Sequence, residues 1–163
     1  MASIRGLNLS LDENHGDNFR IAIIHAQWNS QVVDELVSGC MATLTQKGVC
    51  NIVLESVGGA FELPLAASAL AKSGKFNAII AIGCLIKGAT MHFEYISSAA
   101  VDGLMRVSLD NDIPVINGIL NVLTEEQALE RAGLSEGHSN EGVGWANTAI
   151  LQARLVRKYS PSL

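Results

Sequence analysis

Ala78-Ile79-Ile80-Ala81-Ile82-Gly83-Cys84-Leu85-Ile86-Lys87-Gly88-Ala89-Thr90-Met91-His92 runs from one kind of pattern into another. Its first nine residues are small or apolar without alternation, as expected of a strand covered on both faces. Gly88 breaks that pattern. Thr90 or Met91 then opens a long helix reaching about Asn111, with Ile96, Ala100, Gly103, Leu104 and Val107 on one face. A buried strand feeding an amphipathic helix through a short turn is half of a βαβ unit.

The same arrangement recurs on either side. Upstream, Phe19 to Ala26 reads as a strand with Ile21, Ala22, Ile23 and Ile24 in succession. A helix follows, capped by Asn29 or Ser30, striped by Val33, Leu36, Val37, Cys40 and Leu44, and ended by Gly48 in a left-handed position. Asn51 to Val57 is a further strand, Gly58 and Gly59 a tight turn, and Pro64 an early residue of a helix that stops at Gly74. Downstream, Pro114 to Leu120 is the fourth strand, and Thr124 and Gln127 have capping-box spacing before a short helix ending at Gly133. Leu134 to Gly142 reads as a polar loop, and the last helix runs from about Val143 to Tyr159. Four strands alternating with helices require right-handed crossovers. The expected fold is α/β: a flavodoxin-like three-layer sandwich with a four-stranded parallel sheet and helices on both faces, forming one domain over residues 1–163.

Composition limits the function. The 163 residues are 48% hydrophobic but only 5% aromatic, which points to an aliphatic core. Mean hydropathy is +0.28, high for a small soluble monomer, yet no apolar run approaches the ~20 residues that cross a bilayer. Burial against further copies of the chain is the better explanation, and no membrane association is expected. A net charge of −5 with scattered Lys and Arg gives no footprint for nucleic acid. Cys40, Cys50 and Cys84 lack a CxxC spacing and lie among apolar residues, so buried reduced thiols are expected. Residues 1–18 have neither a signal-peptide core nor the make-up of a transit peptide, which makes the cytoplasm the expected location.

Ligands of such sheets bind beyond the carboxyl ends of the strands, so the strand-to-helix turns are where chemistry is expected. Gly88 and Ala89 followed by Thr90 at a helix start could bind phosphate through backbone N–H groups, or form an ordinary capped turn. His92 follows within the first helical turn, and imidazole both accepts and donates protons near neutral pH. A structural histidine is the alternative. Glu62 could bind a polyol or amine, or compensate the helix dipole. Trp28, one of two tryptophans, could stack on a heterocycle or simply pack. Arg131 could fork onto phosphate or form a surface ion pair. The acidic cluster of a receiver domain, GxGxxG and GxxxxGK are missing, and the four histidines show no metal-ligand spacing, so no metal is expected.

Together these turns resemble the 6,7-dimethyl-8-ribityllumazine synthases, and most specifically their fungal form through Gly83 to Tyr95. Supporting segments are Ala26 to Asn29, Gly59 to Pro64, Pro114 to Gly118, Glu125 to Ala128 and Arg131 to Gly133, so the resemblance spans the chain from Arg20 onward. It implies a transferase of riboflavin biosynthesis that joins 5-amino-6-ribitylaminouracil to 3,4-dihydroxy-2-butanone 4-phosphate, releasing phosphate and water, without a cofactor. It further implies that His92 carries protons, while Trp28, Asn29, Gly59, Ala60, Phe61, Glu62, Cys84, Leu85, Ile86 and Asn117 surround the pyrimidine and ribityl groups. Gly88, Ala89, Thr90 and Arg131 would hold phosphate, with Arg131 reaching in from a neighbouring subunit. Riboflavin is a further expected ligand, through Trp28.

The resemblance also implies a homopentamer with active sites at its interfaces, residues 1–18 as an arm extending a neighbour's sheet, and the long helix packed around a fivefold axis through Ala99 and Gly103. The Leu134 to Gly142 loop is about two residues longer than in capsid-forming relatives, which favours a free pentamer over a sixty-subunit shell. Gly58, Asn117 and Glu141 depart from the family's usual Pro, aromatic and Lys. An inactive homologue that binds lumazine or riboflavin, and a shell protein whose role is assembly, are the other readings.

Overall fold

A computed structural model describes residues 18–160, so all but the last residue of the expected amino-terminal arm, 1–18, lies outside the described residues. Strands β1 Arg20–Ala26, β2 Asn51–Val57, β3 Ala78–Ile86 and β4 Val115–Val122 pair in parallel in the order β2-β1-β3-β4. The connections are filled by α1 Ser30–Gln46, α2 Leu63–Lys72, α3 His92–Asn111 and α4 Glu125–Arg131, and the described chain ends with α5 Glu141–Tyr159. A 3-10 turn at Ala60–Glu62 leads into α2.

The two-residue period of the central strands sorts the helices to the two sheet faces. Ile21 and Ile23 of β1 join Ile80 and Ile82 of β3 in one core with Leu36, Leu44, Ala128 and Ile150, drawn from α1, α4 and α5. Ala22, Ile24, Ile79 and Ala81 face the other way, onto Leu63, Ala67, Ala100 and Leu104 of α2 and α3. Both faces of β1 and β3 are thus covered, which is why their sequences do not alternate. This is the expected α/β three-layer fold.

Five details differ from the expectations. Asn29 holds the N-cap position of α1 in a left-handed conformation, with φ 56°, but makes no side-chain cap bond; its Nδ2 instead donates to Cys84 O at 2.9 Å, tying the β1–α1 turn to the end of β3. β4 extends to Val122 because its pairing with β3 continues through Ile86 and Val122. α5 begins at Glu141 rather than Val143, since Asn140 Oδ1 accepts from Gly142 N at 2.8 Å while Asn140 Nδ2 donates to Glu35 O at 2.7 Å. Cys50 is exposed rather than buried, one residue before the edge strand β2. Gly103 faces Pro64 of α2, where a Cβ would approach within 2.9 Å, so its smallness serves packing within the chain.

Candidate active site

The order β2-β1-β3-β4 sends the chain in opposite directions after β1 and β3, leaving a crevice at the carboxyl ends of these strands. A cavity of about 660 Å³ lies there. The first turn contributes Trp28 and Asn29 to its lining, and the second contributes Gly59, Ala60, Phe61 and Glu62. The end of β3 supplies Cys84, Leu85 and Ile86, and α3 supplies His92. Ten residues that are far apart in sequence are brought together by the strand ends.

Local chemistry explains the shape. Gly59 is extended, and a Cβ there would come 3.2 Å from Glu62 Oε2 and 3.4 Å from Trp28 Cδ1, so a side chain would separate the indole from the carboxylate turn. Trp28 is 73% exposed and therefore forms a wall with an unused apolar surface. Cys84 is buried, and that burial pushes its thiol up to about 11, which leaves a neutral wall rather than a nucleophile.

A smaller cavity of about 380 Å³ adjoins the turn after β3 and is lined by Gly88, Thr90, Phe93, Leu85, Ile86 and His92. No side chain caps α3, and Thr90 Oγ1 accepts only a 3.4 Å contact from His92 N. The first N–H groups of this 20-residue helix are therefore not occupied by a side-chain cap. Ala89 is exposed beside this cavity but does not line it. His92 lines both spaces, along with Leu85 and Ile86.

Asn117 and Arg131 line neither cavity. Asn117 Oδ1 accepts from Ile119 N at 3.1 Å and Asn121 Nδ2 donates to Ile119 O at 3.2 Å, so both side chains serve the backbone of the edge strand β4. Arg131 is half-buried in the last turn of α4. Two further residues line the larger cavity: Ile96, one helical turn beyond His92, and Glu125, the first residue of α4. Ile96 has the periodicity of a core residue, which concealed it; Glu125 follows β4 and was accessible from the strand-end rule.

A sequence model of the family described as 6,7-dimethyl-8-ribityllumazine synthase matches residues 18–157. The chain belongs to this family. It is 49% identical to the 6,7-dimethyl-8-ribityllumazine synthase of Schizosaccharomyces pombe, over 91% of this chain and 94% of that protein. The lumazine synthase of Pyricularia oryzae is 39% identical over 85% of this chain and 88% of its own length. That of Streptomyces avermitilis is 41% identical over 90% of each chain. Leu85, Ile86 and His92, which line both cavities, fall within the stretch matched by the family.

Proposed function

We propose that the chain condenses 5-amino-6-ribitylaminouracil with 3,4-dihydroxy-2-butanone 4-phosphate to give 6,7-dimethyl-8-ribityllumazine, as a transferase of riboflavin biosynthesis. The observation that carries this reading is His92 at the boundary of two adjoining cavities, one walled by Trp28 and the other beside an uncapped helix start. A flat pyrimidine suits the first and a phosphate the second.

In this reading the pyrimidine stacks on Trp28, with its ring and ribityl chain against Asn29, Gly59, Ala60, Phe61, Glu62, Cys84, Leu85 and Ile86. Gly88, Ala89 and Thr90 receive the phosphate of the butanone. The pyrimidine amine attacks the ketone and water leaves to form an imine; phosphate is eliminated, and the ribityl-bearing nitrogen closes the ring with loss of a second water. Each step relocates a proton, and His92 is placed to move it between the ring and the departing phosphate. Holding the reactants together supplies much of the acceleration, up to roughly 7–11 kcal/mol in well-oriented systems.

Arg131 enters from a second copy of the chain, so the working form is a homopentamer free of a sixty-subunit shell, with sites completed at interfaces. Exposed Met91, Tyr95, Met105 and Leu109 support this, since their spacing puts them in one stripe along α3. Residues 18–160 act as one domain. No helix among the described residues is long and apolar enough to cross a membrane. The cysteines are free thiols, which suits the cytoplasm. Riboflavin, another flat ring with a ribityl chain, is expected to compete at Trp28. Mixing purified protein with both substrates tests the reading: lumazine absorbance and fluorescence grow in, whereas binding without turnover overturns it.

A further inference from the structure

Lys87 occupies the junction of β3 and the turn into α3. Its backbone N–H donates to Val122 O at 2.9 Å, fixing the start of the turn to the end of β4. Its ammonium pairs with Glu94 Oε1 in the first turn of α3 and lies 5.6 Å from the centre of the Phe93 ring. The side-chain pair therefore spans Gly88, Ala89, Thr90 and Met91, all of which are exposed. Besides this pair, Thr90 Oγ1 accepts from His92 N and Met91 O from Tyr95 N, each at 3.4 Å, while the surroundings of Gly88 are empty to 4 Å from where a side chain would begin. Glu94 Oε2 is buried and makes no hydrogen bond, so the contact at Oε1 is what orients the carboxylate.

The same geometry directs the lysine charge onto a carboxylate and an aromatic face. We propose that Lys87 and Glu94 are positioning residues that clasp turn 88–91 in the shape in which its N–H groups converge on phosphate, and that Lys87 is not itself a phosphate ligand. This rests on the functional reading above. It also fits a reaction that must release phosphate, because neutral N–H donors hold the product less tightly than an unpaired ammonium would.

Glu94→Gln separates the two roles, since it releases the ammonium while keeping the side-chain shape. A clasp predicts that KM for the phosphorylated ketone rises by roughly fivefold, the upper range for an exposed ion pair, while KM for the aminouracil is unchanged. Lys87→Met gives the same rise, and Lys87→Met/Glu94→Gln is no worse than either single variant. If the lysine bound the anion, Glu94→Gln would instead lower that KM and tighten inhibition by inorganic phosphate, which overturns the proposal. A lowered denaturation midpoint with both KM values unchanged also overturns it, because the pair would then be merely structural. Amide hydrogen exchange at residues 88–91 is followed alongside turnover. Should the wild-type protein make no lumazine, the functional reading fails by itself; faster exchange in Glu94→Gln still supports the clasp, and unchanged exchange refutes it.

Discussion

His92 stands at the first residue of α3, two positions beyond Thr90, and this places it in the lining of both the larger cavity and the smaller one beside the turn after β3. Replacing it should slow proton movement without abolishing the proximity of the reactants. His92→Ala is therefore expected to lose no more than about 100-fold in kcat, the low end of proton-transfer catalysis, with activity still measurable in a steady-state assay. The thiols make a separate prediction. Burial raises Cys40 to about 12 and Cys84 to about 11, whereas Cys50 is exposed. An alkylating reagent at pH 8 should label Cys50 first in the folded protein and all three only after denaturation, as peptide mass mapping would show. The apolar neighbours of Cys50 in sequence say nothing about its place just before the edge strand β2.

At the scale of elements, close approach between strands and helices leaves little room at some positions of the sheet. Gly118 of β4 sits where a Cβ would lie 2.8 Å from Ala81 O and 3.0 Å from Trp145 Cε3. Gly118→Ala should thus destabilise the fold by about 1–3 kcal/mol, measured as a lower denaturant midpoint at fixed protein concentration. The central strands were legible because burial on both faces leaves continuous runs such as Ile21 to Ile24 and Ala78 to Ile82. The ends of elements were less so. Asn29 is the N-cap residue of α1, but its side chain reaches Cys84 across 55 positions of sequence, a contact that no local pattern encodes. Asn140 likewise starts α5 early because it is anchored to Glu35 of α1, again a long-range cause.

The whole molecule returns to the hydrophobic excess of the sequence. Trp28, Phe61, Leu65, Tyr95, Met105 and Leu109 are large, apolar and exposed on the isolated chain, with Tyr95 at 72%. Such surfaces are what subunit contacts bury. Light scattering should report a mass near five chains, about 87 kDa from 17.3 kDa each, and a particle near sixty chains would contradict the free pentamer. The lining of the cavity was legible from turns and family resemblance together, whereas Asn117 and Arg131 line no part of it in one chain, and the proposed function divides the site between copies to bring Arg131 in. That division is the central claim, and mixing subunits tests it most directly. His92→Ala and Arg131→Ala chains, each impaired alone, are unfolded together in equal amounts, refolded, and assayed at low phosphorylated ketone. If one copy supplies His92 and its neighbour Arg131, about a quarter of the interfaces regain both residues and activity rises above that of either parent. Activity equal to the average of the two parents would place both residues in the same chain's site and contradict the account.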